Sequence, residues 1–462
     1  MKKITLIEPK APGYHFFSGR PMPRLGLPIL GTILKQRGYD VKIYYQEIYP
    51  IDFAEVFKSD IVGISTITST APEAYRIAKL VKKNGIPVII GGVHPTFLPD
   101  EALAYADYVI RGEGEETIVE LIDAIENGEA LENILGLSYK RDGEYHHNPD
   151  RPPMCDLDSI PAPDLSLIIG FNKLRIIPVY TSRGCPYNCT FCSVTPMFGR
   201  KYRFRSPDSI VEEVSRWKGK HIFFVDDNFA ADKERAKILL DMMIRKGSPK
   251  EWSTQIRAEA VKDEELLHLM RCSNCSALCI GYESVNPKAL KEFNKHLDLN
   301  SIRESVELIH KYGIRVHGMF IFGADEDNLK TFSNTVNFVK ETGIDTVQFA
   351  VLVPLPGTKL FEQLESQNRI ITKDWHLYDG HHVVFRPMEM SPYGLQQGTL
   401  KALKSIYSFS QFLRFLLRRN FYGAGLRLWG YGLIKKWSKD NNGFLRKMRY
   451  RSRAYLQEST IL

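Results

Sequence analysis

The chain has 462 residues, of which 44% are hydrophobic, 25% charged and 11% aromatic, and its formal net charge is +8. These proportions are typical of a folded globular protein and exclude a disordered chain, a collagen-like repeat and a small disulfide-stabilised scaffold. The length predicts two or three domains, at about 100–200 residues each.

The amino terminus and the cysteines indicate where the protein resides. The first apolar run, residues 4–7, ends at Glu8 and is far shorter than the hydrophobic region of a signal peptide. No stretch approaches the ~18 apolar residues that a membrane-spanning helix needs. We therefore expect a cytoplasmic protein that is not integral to a membrane. Its seven cysteines, an odd number, fit a reducing compartment and metal ligation better than a disulfide framework.

Residues 1–145 alternate apolar strands with amphipathic helices, which predicts a doubly wound parallel α/β sheet of the flavodoxin type. The predicted strands are residues 4–7, 41–45, 61–67, 88–90 and 108–110, and the helices include 27–36, 72–83 and 117–126. Ligands bind such sheets beyond the carboxyl ends of the strands, where glycines let the backbone approach a large flat ligand. The candidate contacts at those ends are Ser65, Gly91, Gly92, His94, Gly112, Glu113 and Gly114.

A Pro- and Asp-rich segment, residues 146–175, cannot hold a regular helix and is predicted to link two domains. Residues 176–395 then alternate again, with strands predicted at 178–181, 222–225, 253–256, 278–282, 315–321 and 346–352. The spacing leaves room for a helix between each pair. This pattern indicates six β/α units in an open, partial barrel whose chemistry lies at the carboxyl ends of the strands.

Three cysteines follow the first predicted barrel strand with the spacing C-x3-C-x2-C, namely Cys185, Cys189 and Cys192. Thiolates on one short loop can bind one soft metal centre, and they favour an iron–sulfur cluster or zinc. A structural zinc site takes four ligands, whereas three thiols leave one position open. On a 4Fe–4S cluster, that open position is an iron free to bind another molecule.

This motif, with Arg183 and Gly184 before it and Phe191 before its last cysteine, resembles the radical S-adenosylmethionine (radical SAM) superfamily. The resemblance implies that the three cysteines hold a 4Fe–4S cluster, whose open iron binds S-adenosylmethionine through its amine and carboxylate. It also implies one-electron cleavage of the sulfonium to a 5′-deoxyadenosyl radical. Such chemistry needs a reductant such as flavodoxin or ferredoxin.

Three residues at the ends of barrel strands resemble the superfamily's contacts with S-adenosylmethionine, although the segment around Asp227 departs from the family's pattern. Asp227 stands where many relatives carry Gly-Gly-Glu, and Glu283 lies in a Gly-x-Glu-Ser segment. Arg257 could pair with the methionine carboxylate as a fork. Each also has a structural alternative, because an aspartate can cap a helix and Arg257 can be a surface charge.

A second group, Cys272, Cys275 and Cys279, also has ligand-like spacing. It is predicted to span a helix end and a strand, which would direct the side chains apart. A free cysteine is a frequent core residue. We therefore favour packing over a second metal cluster.

The segments 23–28, 91–96 and 112–117 resemble the cobalamin-binding domain of cobalamin-dependent radical SAM proteins. The chain lacks the Asp-x-His-x-x-Gly segment that supplies a lower axial histidine elsewhere, so an apolar or small polar side chain or water is expected below the cobalt. The alternative is a domain kept only for architecture. Residues 1–154 contain no cysteine, which excludes the tRNA methylthiotransferases, whose first domain supplies thiols to a further cluster.

Residues 396–462 are predicted to form a helical extension that holds the chain's basicity. From residue 401 onward it has 14 Lys and Arg against two acids, a local net charge of +12, so the preceding residues carry −4. Basic residues interleaved with aromatics fit nucleic-acid binding, contact with a membrane surface, or a helical cap on the barrel. The cluster 412–417, with Trp429 and Trp437, favours the membrane surface over nucleic acid.

The resemblance as a whole predicts a cobalamin-dependent radical SAM enzyme. We expect it to methylate an unactivated carbon, and the extension points to a small-molecule substrate of hydrophobic or lipid-like character. Two alternatives stay open. One is radical cyclisation or oxidative rearrangement without methyl transfer, and the other is a non-catalytic cobalamin or redox sensor.

Overall fold

The computed structural model describes residues 2–11, 21–217, 219–247 and 249–458, with side chains described up to residue 450. The N-terminal domain is one mixed sheet with helices on both faces. Its strands are β1 (Lys3–Glu8), β2 (Asp40–Tyr45), β3 (Ile61–Ser65), β4 (Val88–Gly91), β5 (Tyr108–Ile110), β6 (Leu137–Arg141) and β7 (Glu144–His147). Its helices are α1 (Gly26–Gln36), α2 (Phe53–Val56), α3 (Ala71–Lys82), α4 (Val93–Phe97), α5 (Pro99–Leu103) and α6 (Glu115–Asn127).

The strand order of this sheet is β2-β1-β3-β4-β5-β6-β7, and β1 to β5 are parallel. This confirms the predicted doubly wound fold, in which the chain reverses direction across the sheet between β1 and β3 and opens a crevice at the carboxyl edge. The antiparallel hairpin β6–β7 was not predicted. Its turn, Asp142-Gly143, has positive φ at both residues, which is the signature of a tight hairpin. The sheet ends at His147, two residues past the predicted boundary.

The second domain is an open barrel of six parallel strands in the order β15-β14-β13-β12-β11-β8, as the spacing predicted. Its strands, with a small flanking ribbon β9–β10, are β8 (Ile176–Val179), β9 (Ser182–Arg183), β10 (Arg203–Phe204), β11 (His221–Phe224), β12 (Glu251–Ile256), β13 (Cys275–Glu283), β14 (Arg315–Phe322) and β15 (Thr346–Val351). Its helices are α7 (Val194–Phe198), α8 (Pro207–Ser215), α9 (Lys233–Lys246), α10 (Glu264–Cys272), α11 (Pro287–Glu292), α12 (Leu299–Lys311), α13 (Leu329–Thr342) and α14 (Lys359–Ser366). Burial alternates along β14 and β15, because one face of each strand packs under the helices.

Four helices complete the chain: α15 (Pro392–Ile406), α16 (Phe409–Leu417), α17 (Phe421–Asp440) and α18 (Asn442–Glu458). The first belongs to the barrel, since α15 lies against α13 and β15 and starts before the predicted boundary at 395. Gly398 permits that approach, because an added Cβ would lie 2.2 Å from the ring of Phe332. No helix among the described residues is long and apolar enough to cross a bilayer.

The extension is attached to β15, the edge strand of the barrel. The Tyr407 hydroxyl accepts from the Val347 amide at 2.9 Å and donates to the Val347 carbonyl at 2.7 Å. Arg427 donates to the Asp345 carbonyl at 2.6 Å. Trp437 is buried with its ring against His382. One face of the extension is therefore a cap on the barrel, and Trp437 is unavailable to a membrane surface, contrary to our interpretation of it.

Candidate functional site

A cavity of about 500 Å³ lies where the carboxyl ends of the two parallel sheets meet. The N-terminal domain contributes the ends of β3, β4 and β5, and the barrel contributes the ends of β8, β11 and β12. Much of the wall is apolar, including Leu25, Leu27, Ile29, Leu30, Ile64, Ile89, Ile110, Phe198 and Phe223. One cavity thus joins the two domains, as expected for a site that uses both.

Glycines expose the backbone along part of the N-terminal wall of the cavity. Six of the seven predicted contacts line it, namely Ser65, Gly91, Gly92, Gly112, Glu113 and Gly114. Gly92 has φ +106°, and an added Cβ would lie 2.5 Å from the Thr66 carbonyl oxygen, so only glycine fits there. At Gly112, with φ +69°, an added Cβ would meet no atom within 4 Å. This open glycine surface fits the approach of a large, flat ligand such as cobalamin.

His94, the seventh predicted contact, is not among the residues that line the cavity. It is fully buried, and its Nε2 lies 3.2 Å from the Glu101 carboxylate. The same carboxylate accepts from the Trp375 indole at 2.9 Å, and the two rings pack edge to face. Because Trp375 follows the last barrel strand, this contact ties His94 to the second domain. The geometry gives no support to His94 as a cofactor contact, which stays a prediction.

Glu113 has a second role as the centre of a buried ion-pair network. Arg183 donates to Glu113 at 3.1 Å and to Glu115 at 2.6 Å, and Arg203 donates to Glu113 at 2.8 Å. The Met154 amide completes the set at 2.8 Å. Burial opposes the charge of Glu113, but the Arg203 hydrogen bond and both arginine charges outweigh it and lower its pKa.

This network, which we call the Glu113 network, connects the cavity wall to the cysteine loop. Arg183 and Arg203 are paired across β9 and β10, and Arg183 stands two residues before Cys185. The sequence analysis noted Arg183 only as a flanking residue. Its partner lies 70 positions away, so no local pattern could have identified the pair.

The three motif cysteines lie together on the loop between β9 and α7, and each is half-buried. Gly184 before them has φ +90°, and an added Cβ would lie 2.4 Å from the Lys201 carbonyl oxygen. Burial raises the pKa of Cys189 and raises that of Cys192 to about 12, and each thiol is also influenced by charge on the neighbouring thiols.

The donor chemistry of this loop fits an iron–sulfur cluster, since three thiols stand close in sequence on one short loop. Across the described residues, no three His, Cys, Asp or Glu side chains are already gathered around one point. Binding a cluster therefore requires the three thiols to turn toward a common centre and lose their protons. Coordination to iron offsets the free-energy cost of deprotonating these partly buried thiols.

Asp226 and Asp227 are neighbours with different environments. Asp226 is buried and accepts from the Thr181 amide at 3.1 Å, the Thr181 hydroxyl at 3.0 Å and the Ser182 hydroxyl at 2.5 Å. Asp227 lines the cavity. Enclosure by the surrounding protein, and then the charge of Asp226, raise the pKa of Asp227 to about 7. The first aspartate is structural, and the second presents its carboxyl group to the cavity.

Arg257 and Glu283 lie outside the cavity lining, beside the cysteine loop. Arg257 stacks at 3.7 Å on the ring of Tyr187, within the motif, and donates to Glu259 at 2.7 Å. Arg257 Nε and Glu259 Oε2 are buried without a hydrogen-bond partner in the described chain. Unsatisfied buried polar atoms call for a ligand or water, so this position fits a polar cofactor such as S-adenosylmethionine.

Glu283 ends β13 in the left-handed region, with φ 62°, a conformation that costs a non-glycine residue energy and recurs at functional sites. Its carboxylate pairs with Lys295 at 3.0 Å, and Lys295 also donates to the Gly281 carbonyl at 3.2 Å. Lys295 was not predicted. Its ammonium group balances the charge of the buried Glu283 carboxylate.

The second cysteine group is divided between the end of helix α10 and strand β13. Cys272 is exposed at the end of α10, Cys275 is buried in β13, and Cys279 lies further along β13 in register with Gln255 and His317. Burial raises the pKa of Cys275, and it raises that of Cys279 to about 12. The burial of Cys275 agrees with the favoured interpretation that these cysteines pack in the core, whereas Cys272 is exposed.

Comparison with known families matches the Radical SAM superfamily over residues 179–339 and the B12 binding domain over residues 18–122. An uncharacterized methyltransferase of Pyrococcus horikoshii is 33% identical, with 82% of this chain and 86% of that protein covered. The bacteriochlorophyllide d C-12(1)-methyltransferase of Chlorobaculum tepidum is 30% identical, with 89% of each chain covered. The anaerobic magnesium-protoporphyrin IX monomethyl ester cyclase of Rubrivivax gelatinosus is 26% identical, with 92% and 80% covered.

A solved structure shares the fold over nearly the whole chain. The radical S-adenosylmethionine methyltransferase TsrM from Kitasatospora setae, with cobalamin and a [4Fe-4S] cluster bound, superposes with a TM-score of 0.71 at 16% identity. The superposition covers 98% of this chain and 100% of that one.

Proposed function

Because the chain belongs to the cobalamin-dependent branch of the radical SAM superfamily, we propose that it methylates an unactivated carbon of a hydrophobic small molecule. It is an enzyme that uses a 4Fe–4S cluster, S-adenosylmethionine and cobalamin. The observation that carries the proposal is the single cavity that the glycine wall and the barrel share. A methyl donor on the glycine wall and an S-adenosylmethionine held at Asp227, which lines the same cavity, would face one substrate there.

The cofactors supply a carbon-centred radical and a methyl group when they are bound. Cys185, Cys189 and Cys192 hold the cluster. Asp227 offers a carboxylate to the amine of S-adenosylmethionine, and the glycine wall receives cobalamin. In the overall exchange, the substrate's C–H bond would break and its hydrogen would leave in 5′-deoxyadenosine, which one S-adenosylmethionine would supply together with methionine. The C–CH₃ bond would form with the methyl group of a second S-adenosylmethionine, which would leave as S-adenosylhomocysteine, and the reductant would supply two electrons. The apolar lining excludes water, which protects a reactive radical from side reactions.

The hydrophobic character of the substrate rests on the apolar lining and on the relative that methylates a bacteriochlorophyllide. A cyclase-type reaction is the second candidate, because a magnesium-protoporphyrin cyclase matches over most of the chain. We also propose that a cytoplasmic flavodoxin or ferredoxin delivers the electrons.

The test uses full-length protein reconstituted without oxygen, with cobalamin, reductant and methyl-labelled S-adenosylmethionine. The substrate source is an organic-solvent extract of cells that lack the protein. Methyl transfer predicts 5′-deoxyadenosine, S-adenosylhomocysteine and label in the organic phase. A cyclase would give 5′-deoxyadenosine without labelled product, and a sensor would give neither nucleoside. Label found only in water-soluble products would contradict the hydrophobic substrate. Cys189→Ala is the inactive control.

A further inference from the structure

Helix α16 and the start of α17 carry an apolar strip on the outside of the molecule. Its members, which we call the α16 strip, are Phe409, Leu413, Leu416, Leu417 and Phe421. Their exposed fractions are 51%, 42%, 39%, 84% and 70%. The first four recur at i, i+4, i+7 and i+8, so they share one helix face. None of the residues of α16 is buried. Large exposed apolar surfaces of this kind mark interaction sites.

The strip is held in place by the opposite face of α16. An added Cβ on Gly423 would lie 2.5 Å from the ring of Phe415, so α17 approaches α16 closely there. The guanidinium of Arg427 lies 4.4 Å from the centre of that ring while it donates to the Asp345 carbonyl. Ser408 and Asn420 cap the two helices. The exposed surface therefore belongs to a packed, capped element and not to a loose segment.

The charges on the segment that carries the strip have one sign. Arg414, Arg418 and Arg419 are exposed beside it. Between Lys401 and Lys439 the sequence contains no Asp or Glu. An apolar face flanked by these cations complements a surface that offers hydrocarbon beneath anionic groups.

Other occupants fit this chemistry less well. A second copy of the chain would bring two basic surfaces together, which is repulsive. A nucleic acid would satisfy the arginines, but phosphate contacts do not cover aliphatic side chains such as Leu413 and Leu417. We therefore propose that the α16 strip docks this protein on the surface of an anionic membrane.

The strip lies near the amino-terminal end of the barrel strands. The Tyr422 ring is 4.3 Å from the guanidinium of Arg315, the first residue of β14, and Arg427 binds the carbonyl just before β15. The cofactor cavity lies at the carboxyl ends of the strands. Docking therefore leaves the cavity free of the membrane contact. The inference is independent of the proposed reaction, because its test measures binding and not turnover.

The experiment is co-sedimentation of the full-length protein with vesicles of phosphatidylglycerol and phosphatidylcholine, compared with phosphatidylcholine alone. We expect binding to the anionic vesicles only, and its loss at about 0.5 M salt, where charges are screened within about 4–5 Å. Each neutralisation among Arg414→Gln, Arg418→Gln and Arg419→Gln should weaken partition about fivefold. Leu417→Asp should weaken it at least about tenfold.

The matched control is Leu329→Asp on α13, where the leucine is 63% exposed and lies outside the strip. It should bind vesicles as the unaltered protein does, and circular dichroism checks that all variants fold. The proposal is overturned if the unaltered protein does not bind, if it binds neutral vesicles equally, or if Leu417→Asp has no effect. It is also overturned if light scattering shows a dimer that Leu417→Asp dissociates, since the strip would then be a subunit interface.

Discussion

Replacing Glu113 by Gln tests whether the Glu113 network holds the two domains together. The substitution keeps the size of the side chain but removes the charge that Arg183 and Arg203 share. The side chains of Glu113, Arg183 and Arg203 are 7%, 13% and 5% exposed. Removing one partner of a buried ion pair costs about 3–5 kcal/mol. Because Glu115 still pairs with Arg183, we expect the lower end, about 3 kcal/mol of unfolding free energy.

Urea unfolding of the cofactor-free protein, followed by tryptophan fluorescence, measures this loss. Glu116→Gln is the matched control, since Glu116 is 54% exposed and pairs with Arg151 at 2.7 Å. A pair with an exposed partner is worth about 0–1 kcal/mol. If both variants unfold at the same urea concentration, the Glu113 network does not stabilise the domain arrangement and our reasoning fails.

Glu113→Gln also tests how the stability of the protein depends on pH. The folded-state pKa of Glu113 lies below its ordinary value of 4.5, so its ionisation stabilises the fold above that pH. This contribution is lost as the pH falls through the lowered pKa. The difference in stability between the unaltered protein and Glu113→Gln should therefore be constant at neutral pH and shrink below about pH 4.5.

Three other substitutions separate structural residues from ligand-binding residues. His94→Gln should lower the urea midpoint of unfolding but leave cobalamin bound after gel filtration. If the variant folds but loses cobalamin, His94 contacts the cofactor after all. Cys279→Ala should keep the full iron content, whereas Cys189→Ala should lose the cluster, which visible absorbance measures. Equal loss of iron in both variants would support a second cluster at Cys279. Asp227→Asn should weaken S-adenosylmethionine binding and remove its decline below about pH 7, because the pKa of Asp227 is about 7 and only the carboxylate attracts an amine. Equilibrium dialysis across that pH range measures this, and an unchanged pH profile would contradict the role.

The fold was predictable because buried parallel strands are continuous apolar runs that few other structures produce. The predicted strands lie within a few residues of β1 to β5 and of the six barrel strands. The C-terminal helices were harder to interpret. Basic and aromatic residues alternate there, and nothing in the spacing tells that Trp437 packs on His382 while Leu417 faces outward.

In the candidate site, too, some features were predictable from the sequence and others were not. The cysteine loop and the glycine edges were predictable, because each is a local pattern at the end of a strand. The position of the His94 side chain was not predictable, since it depends on contact with Trp375, which lies far along the chain. Arg203 was also missed, because Glu113, which it binds, lies 90 residues away in the other domain. Lys295 was missed because the turn of the chain after β13, which brings it back to Glu283, leaves no sequence pattern.

The hydroxyl of Tyr407 has a practical consequence for anyone who divides this protein. It occupies both backbone groups of Val347 on the outermost barrel strand. A chain cut near residue 395, where the domain boundary was predicted, would leave that strand margin open to pairing with strands of other molecules. Such a fragment should precipitate on expression, and the smallest catalytic unit worth purifying extends past Tyr407.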